Sequence, residues 1–306
     1  MITEVSKKSG LGNFKRSLTV CHELIKYVDF SLLVISDAIN MRDIVDSETF
    51  PMLIMESIES FSFTDVEYSH ILIDVGTLNL SSFIQLVKRH NTNTKIVALD
   101  YFFDSSFLDL RISVFDQESR SFTSTDKKHL VGLKYAVIEE LPEISIQRNT
   151  LPTITVRFSG ENPDFSSKVR KILESLDSLN SIKIKYLNNS DGGNLERQII
   201  PRPDYLEMIT NSNLVICSGV TTLFECSILK VPTIFVGSNT LEKNFGFELS
   251  GNNQIMSIDG YSNNFEFEMK SLLSKVDFKV AIDFLIPNLE LDFKGKCRVI
   301  DAILSL

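Results

Sequence analysis

Tryptophan is absent from the 306 residues, and cysteine and histidine occur four times each. Cys21, Cys217, Cys226 and Cys297 are widely spaced with no Cys-x-x-Cys pair, the pattern of buried free thiols rather than of a metal or dithiol motif. His22, His70, His90 and His129 show no His-Glu-x-x-His spacing, so no metal site is expected. Basic runs are equally scarce. Lys7-Lys8 and Lys127-Lys128 are the longest, and with a net charge of −9 they exclude a track for nucleic acid. No apolar run is long enough to cross a bilayer, and the opening MITEVSKKSG lacks an apolar signal core, so the chain is expected in the cytoplasm with no membrane span.

The hydrophobic fraction of 43% and the charged fraction of 23% suit a globular protein, and the length suffices for two domains. The most informative stretch is 214–237, LVICSGVTTLFECSILKVPTIFVG. Leu214 to Cys217 form a short apolar strand that stops at Ser218-Gly219. Ser218, Thr221 and Thr222 suit a helix start, Leu223, Cys226 and Ile228 recur near helical spacing, and Pro232 opens the strand 233–236. The first turn of such a helix offers unpaired N–H groups and a positive dipole end to phosphate oxygens, and Gly219 lets a phosphate approach the backbone. Glu225 lies about one turn further in, where a carboxylate can accept from both ribose hydroxyls, an interaction of roughly 1.5–3 kcal/mol. These residues sketch a nucleoside diphosphate site. The plainer alternative makes Thr221 and Thr222 caps and Glu225 a solvated first-turn acid.

Along the chain, Ile2 to Val5 reads as a short first strand, followed by the loop Lys7-Lys8-Ser9-Gly10-Leu11-Gly12 and a helix over 13–27. Phe14, Leu18, Cys21, Leu24 and Ile25 give that helix an apolar stripe, and Arg16 in its first turn faces either a ligand or water. Strands are expected at 31–35, 51–55, 70–75 and 95–99, with an amphipathic helix at 80–90. Asp74 ends one strand and Asp100 follows another, at the carboxyl edge where ligands of parallel sheets gather. Asp74 either orients a substrate hydroxyl or loop amide there, or caps the region after it. The aromatic-rich region 102–120 shows a weaker strand pattern, its rings explained by packing. A strand at 133–138 and a linker at 139–152 close the first half. The second half repeats strand and helix: strands at 153–158, 182–187, 214–217, 233–236 and 257–258, helices at 166–176, 204–210 and 265–273, and a terminal segment 291–306. The expected fold class is α/β, with two facing Rossmann-like, doubly wound domains and the ligand cleft between them.

Several separated motifs resemble one family, the nucleotide-sugar hydrolases of pseudaminic acid synthesis and their spore-coat polysaccharide relatives. KKSGLGNFKRSLTV resembles their N-terminal GxGHxxR loop and helix, ILIDVG their IDHY strand, and KIVALDY their IDD strand. VGLKYAVI is similar to their LGxxYALL segment, VRFSGENPDF to their FGGSDP turn, and CSGVTTLFECSILKVPTIFV to their GGSTxxE…GxP unit. GSN at 237–239 resembles their SNQ, and LDFKGKCRVIDAI their terminal DGKGxxRV helix. The likeness implies the glycosyltransferase-B architecture, with 1–148 as the sugar or acceptor domain, 149–306 as the nucleotide domain, and the last helix packing back on the first. It implies a UDP-sugar as small-molecule partner, no cofactor and no metal. Ser218, Gly219, Thr221 and Thr222 would meet the diphosphate, Glu225 the ribose, and Gly160 the nucleotide. Gly10, Gly12, Arg16, Asp100 and Asn239 would lie on the sugar side. Three departures cluster at that end: Asn13 stands where the family has histidine, Gly76 where it has tyrosine, and Thr240 where it has glutamine. An amide takes no proton near neutral pH, and a positioned general base contributes roughly 10²–10⁴-fold.

The expected function is action on a nucleotide-activated sugar in surface glycan synthesis, by hydrolysis or by glycosyl transfer at the anomeric centre. In a transferase Asp74, Asp100 or Glu161 would serve as base in place of Asn13. The alternative is a catalytically silent homologue that binds a nucleotide or a partner enzyme of the same pathway.

Overall fold

The computed structural model describes residues 1–6, 12–36, 50–61, 68–101, 103, 106–115, 128–142, 151–158, 163–176, 181–187, 202–278 and 282–306. Two α/β units divide the chain, the first comprising 1–139 with 292–306 and the second 140–291. The division between these units falls at 139/140, and the last segment, 292–306, belongs to the first unit.

In the first unit the chain runs β1 (Ile2–Val5), α1 (Gly12–Leu24), β2 (Leu32–Ser36), β3 (Met52–Met55), β4 (His70–Asp74), α2 (Ser81–His90), β5 (Lys95–Leu99), β6 (Leu110–Ser113) and β7 (His129–Val131). The seven strands pair in the order β3-β2-β1-β4-β5-β6-β7, every described pair parallel. Apolar runs account for this arrangement, because strands covered on both faces need side chains that tolerate burial either way. Central β1 has β2 on one side and β4 on the other, so the direction of winding reverses there. Helix α1 buries Phe14, Ser17, Val20, Cys21 and Leu24, while Ile25, expected on its stripe, is 44% exposed just past the helix end.

The second unit runs β8 (Thr153–Arg157), α3 (Pro163–Glu174), β9 (Lys183–Tyr186), α4 (Arg202–Thr210), β10 (Leu214–Cys217), α5 (Val220–Leu229), β11 (Thr233–Gly237), α6 (Thr240–Gly251), β12 (Met256–Asp259) and α7 (Phe265–Leu273). Its strands pair in the order β12-β11-β10-β8-β9, again all parallel. Its core gathers Ile154, Val156, Leu214, Ile216, Ile234 and Val236 from the sheet with Phe165, Val169, Phe265 and Met269 from the helices. Each such side chain contributes roughly 1.5–3 kcal/mol on burial.

The last helix, α8 (Gly295–Leu304), joins the first unit through Val299, Ile300 and Ile303, which share a cluster with Val20 and Leu24 of α1. Two expectations change. The segment 133–138 is not a strand: Gly132, at φ 123°, ends the pairing that runs through β7, and Leu133–Tyr135 turn back as a single 3₁₀ turn closed by Tyr135 N–H to Gly132 O at 3.0 Å. Cys297 is exposed, whereas Cys21, Cys217 and Cys226 are buried as free thiols. No helix among the described residues is long and apolar enough to cross a membrane.

Candidate functional site

In the second unit β10 ends at Cys217, followed by Ser218, which is 1% exposed, and by Gly219 at φ 87°, ψ 124°. Only glycine adopts that backbone without strain, and it brings the chain sharply into α5. Gly219 has no side chain to cap the helix, so the amides ahead of the first helical bond, Leu223 N–H to Gly219 O at 3.3 Å, have no intrahelical acceptor. Strands β8 and β10 lie side by side with Arg157 opposite Cys217, and Ser218 N–H reaches Arg157 O at 3.0 Å. The start of α5 therefore stands at the carboxyl ends of two adjacent strands, where open α/β sheets hold ligands. Thr221 is exposed there.

Thr222 and Glu225 turn along the flank of α5 instead. Glu225 is 1% exposed, with Oε1 paired to Arg202 Nη1 and Oε2 accepting the Tyr205 hydroxyl at 2.8 Å. The same hydroxyl lies 3.0 Å from Thr222 Oγ1. Burial, followed by the charge of Glu225, pushes the Tyr205 phenol well above its ordinary range, so it stays a donor. Glu225 is thus no solvated first-turn acid, and in this arrangement one of its oxygens is taken by an arginine and the other by a phenol. Asn239 is exposed, and its Oδ1 caps α6 by accepting Glu242 N–H at 2.9 Å; Glu242 in return accepts Ser238 N–H at 2.9 Å. This near capping box gives Asn239 a structural task of its own.

In the first unit Arg16, on α1, closes an ion triad. Its Nε donates to Asp74 Oδ2 at 3.0 Å, its Nη2 pairs with Asp74 Oδ1, and its Nη1 pairs with Asp100 Oδ2. Ser17 Oγ adds a bond to Asp74 at 3.0 Å, and Asp100 Oδ1 accepts Val114 N–H at 2.8 Å. Asp74 is fully buried and Asp100 nearly so. Burial lifts the Asp74 carboxyl above its usual range, against the opposing pull of Arg16. The triad ties α1 to the ends of β4 and β5, and neither carboxylate is open to a substrate. Arg16 is held by both carboxylates with its side chain 20% exposed, and Asp74, a catalytic candidate in the sequence, ties α1 to β4 here.

Asn13 and Gly76 come together: a Cβ built on Gly76 would lie 2.9 Å from Asn13 Nδ2. Two positions far apart in the chain are therefore one place in space. Gly12 begins α1 with open space around it. Gly10, Gly160 and Glu161 lie outside the described residues. Sequence reasoning missed Arg202 and Tyr205, and it missed Glu4, which is 2% exposed on β1. Glu4 accepts Thr77 N–H at 2.9 Å, the Thr77 hydroxyl and Ser6 Oγ at 3.0 Å, fixing the loop that carries Gly76. A lone acid inside the strand ITEV was its one signal. Among the described residues no group of three His, Cys, Asp or Glu is arranged to hold a metal ion.

No family model matches the chain, and no curated protein matches it. Solved structures do. The glycotransferase of kitacinnamycin is similar at a TM-score of 0.64 and 10% identity, covering 99% of this chain and 98% of that one. A putative UDP-N-acetylglucosamine 2-epimerase from Listeria monocytogenes is similar at 0.60 and 14%, covering 99% and 95%. S. aureus MnaA, solved with UDP, is similar at 0.57 and 11%, covering 99% and 95%. At these identities the likeness is one of fold, and the chain has the two-domain α/β fold of the glycosyltransferase-B type.

Proposed function

We propose that the chain binds a nucleoside diphosphate sugar, with UDP as the nucleotide, and transfers the sugar to a hydroxyl acceptor during surface glycan synthesis. The observation that carries this reading is the uncapped start of α5 behind Gly219, at the carboxyl ends of β8 and β10, with Glu225 farther along the same helix. Phosphate oxygens suit the amides of Val220, Thr221 and Thr222, and the ribose suits Glu225. A neighbour of the same fold solved with UDP, and another named for a UDP-sugar, support the choice of nucleotide. Hydrolysis is the weaker version, because Asn13 offers no base and Gly76 leaves no phenol beside it.

A second reading, a silent homologue that binds nucleotide or a partner enzyme, is favoured by one specific feature. Arg16 neutralises both Asp74 and Asp100, so the sugar-side carboxylates foreseen as substitute bases are closed. Incubation with UDP-, GDP- and CMP-sugars, following nucleotide release and binding heat, separates the two. Release with an added hydroxyl acceptor supports the transferase, heat without release the silent homologue, and neither signal refutes both. In the same assay Asn13→His is expected to raise release to water, since it returns a base to the first turn of α1.

A further inference from the structure

Glu225 has a conflict of duties. To hold a ribose it must accept two hydroxyls, yet its carboxylate carries the guanidinium of Arg202 and the phenol of Tyr205. The two cluster members differ in what they can do. Tyr205 is 8% exposed and bridges Thr222 to Glu225 within the α4–α5 packing, so it stays. The Arg202 side chain is 21% exposed against 2% for Glu225, and it stands at the first residue of α4, where its far end can turn. Along α5 the rise of 1.5 Å per residue puts Glu225 about 9 Å from Gly219.

We propose that Arg202 makes this site selective for nucleoside diphosphates over nucleosides, by holding Glu225 closed until a phosphate at the start of α5 draws the guanidinium away. The inference rests on the nucleotide reading of α5 above. The exchange leaves no buried charge bare: the guanidinium trades a carboxylate for a phosphate, which its planar fork of donors fits equally well, and the carboxylate trades the guanidinium for ribose hydroxyls. A nucleoside without phosphate must part the ion pair and offers the arginine nothing, and stranding one member of a buried pair is the costly case. Its affinity falls by the fraction of molecules in which the pair is open.

The test is a coupling measurement by titration calorimetry on the full chain, with UDP, with uridine, and with uridine in saturating inorganic phosphate against chloride of equal ionic strength. The expected result is UDP binding, and uridine affinity raised by phosphate about fivefold or more, with phosphate affinity raised equally by uridine. Arg202→Met is expected to abolish that coupling, and Arg202→Lys, which keeps the charge without the fork, to retain part of it. Uridine affinity that is unchanged or lowered by phosphate, in a chain that binds UDP, overturns the role of Arg202 and leaves the nucleotide site standing. A chain that binds no UDP overturns the site reading and this inference with it. Should Arg202→Met fail to fold, the coupling in the unaltered chain still decides.

Discussion

The two units each bury an arginine against carboxylate at the carboxyl side of a sheet, and they do so differently. In the first, Arg16 spends Nε, Nη1 and Nη2 on two carboxylates that are themselves bonded to Ser17 and Val114. In the second, Arg202 Nη1 pairs with Glu225, whose other oxygen accepts the Tyr205 hydroxyl, on the helix that Gly219 leads. The two guanidinium side chains are about equally exposed, 20% for Arg16 and 21% for Arg202, so exposure does not separate them; what differs is the acceptor set, two carboxylates against one carboxylate shared with a phenol. The chemistry of the residues is the same in both; the second is the candidate site because its carboxylate lies on the helix whose start is uncapped.

The contrast is broken most severely by Asp74→Ala. Removing a fully buried carboxylate takes two of the three Arg16 contacts and leaves the guanidinium with Asp100 alone; breaking a buried pair costs up to about 3–5 kcal/mol, read as a drop in the denaturation midpoint. Glu225→Ala takes the carboxylate from both Arg202 and Tyr205 and is expected to weaken UDP binding roughly tenfold or more, about 1.4 kcal/mol. If UDP affinity is unmoved in that variant, the distinction between the clusters fails. Tyr205→Phe comes next, at about 1.5 kcal/mol for a hydrogen bond to a charged acceptor. It also changes the alkaline limb. The folded phenol is held above its unfolded value by burial and by Glu225, so between those two values the unfolded chain has lost a proton that the native chain keeps. Stability therefore falls as pH rises past about 10, and the variant should show a shallower fall.

Much of this was readable in the chain, and the misses have causes. Apolar runs such as KIVAL and LVIC became β5 and β10 at the expected residues, because a strand buried on both faces leaves a compositional mark. Helix α6 was not foreseen. Gly246 sits in its middle, where a Cβ would collide with Ser257 and Phe235, so packing against the sheet selects a residue that local propensity disfavours. The start signal, Asn239 with Glu242 three residues on, was present and unread. At the site, Gly219 and Glu225 stand out by spacing along one helix. Their controlling partners do not. Arg202 is 23 residues from Glu225, and Arg16 is 58 and 84 residues from Asp74 and Asp100, so no local period connects them and only the fold does.

The smallest effect is expected at Gly76, beside Asn13. Gly76→Ala sets a Cβ 2.9 Å from Asn13 Nδ2, but that atom ends a flexible amide whose residue is only half-buried at the start of α1. The amide can rotate aside, so the cost should stay within about 1 kcal/mol, as for a surface substitution that leaves the core intact. If the contact is the cause, Asn13→Ala should remove it, and the two changes together should cost less than their sum, since neighbours in contact are not additive. A loss of several kcal/mol from Gly76→Ala, or strict additivity with Asn13→Ala, would instead mean that this loop is held as rigidly as the Arg16 triad. Glu4 would then be fixing it for packing and not leaving room for a ligand beside Asn13.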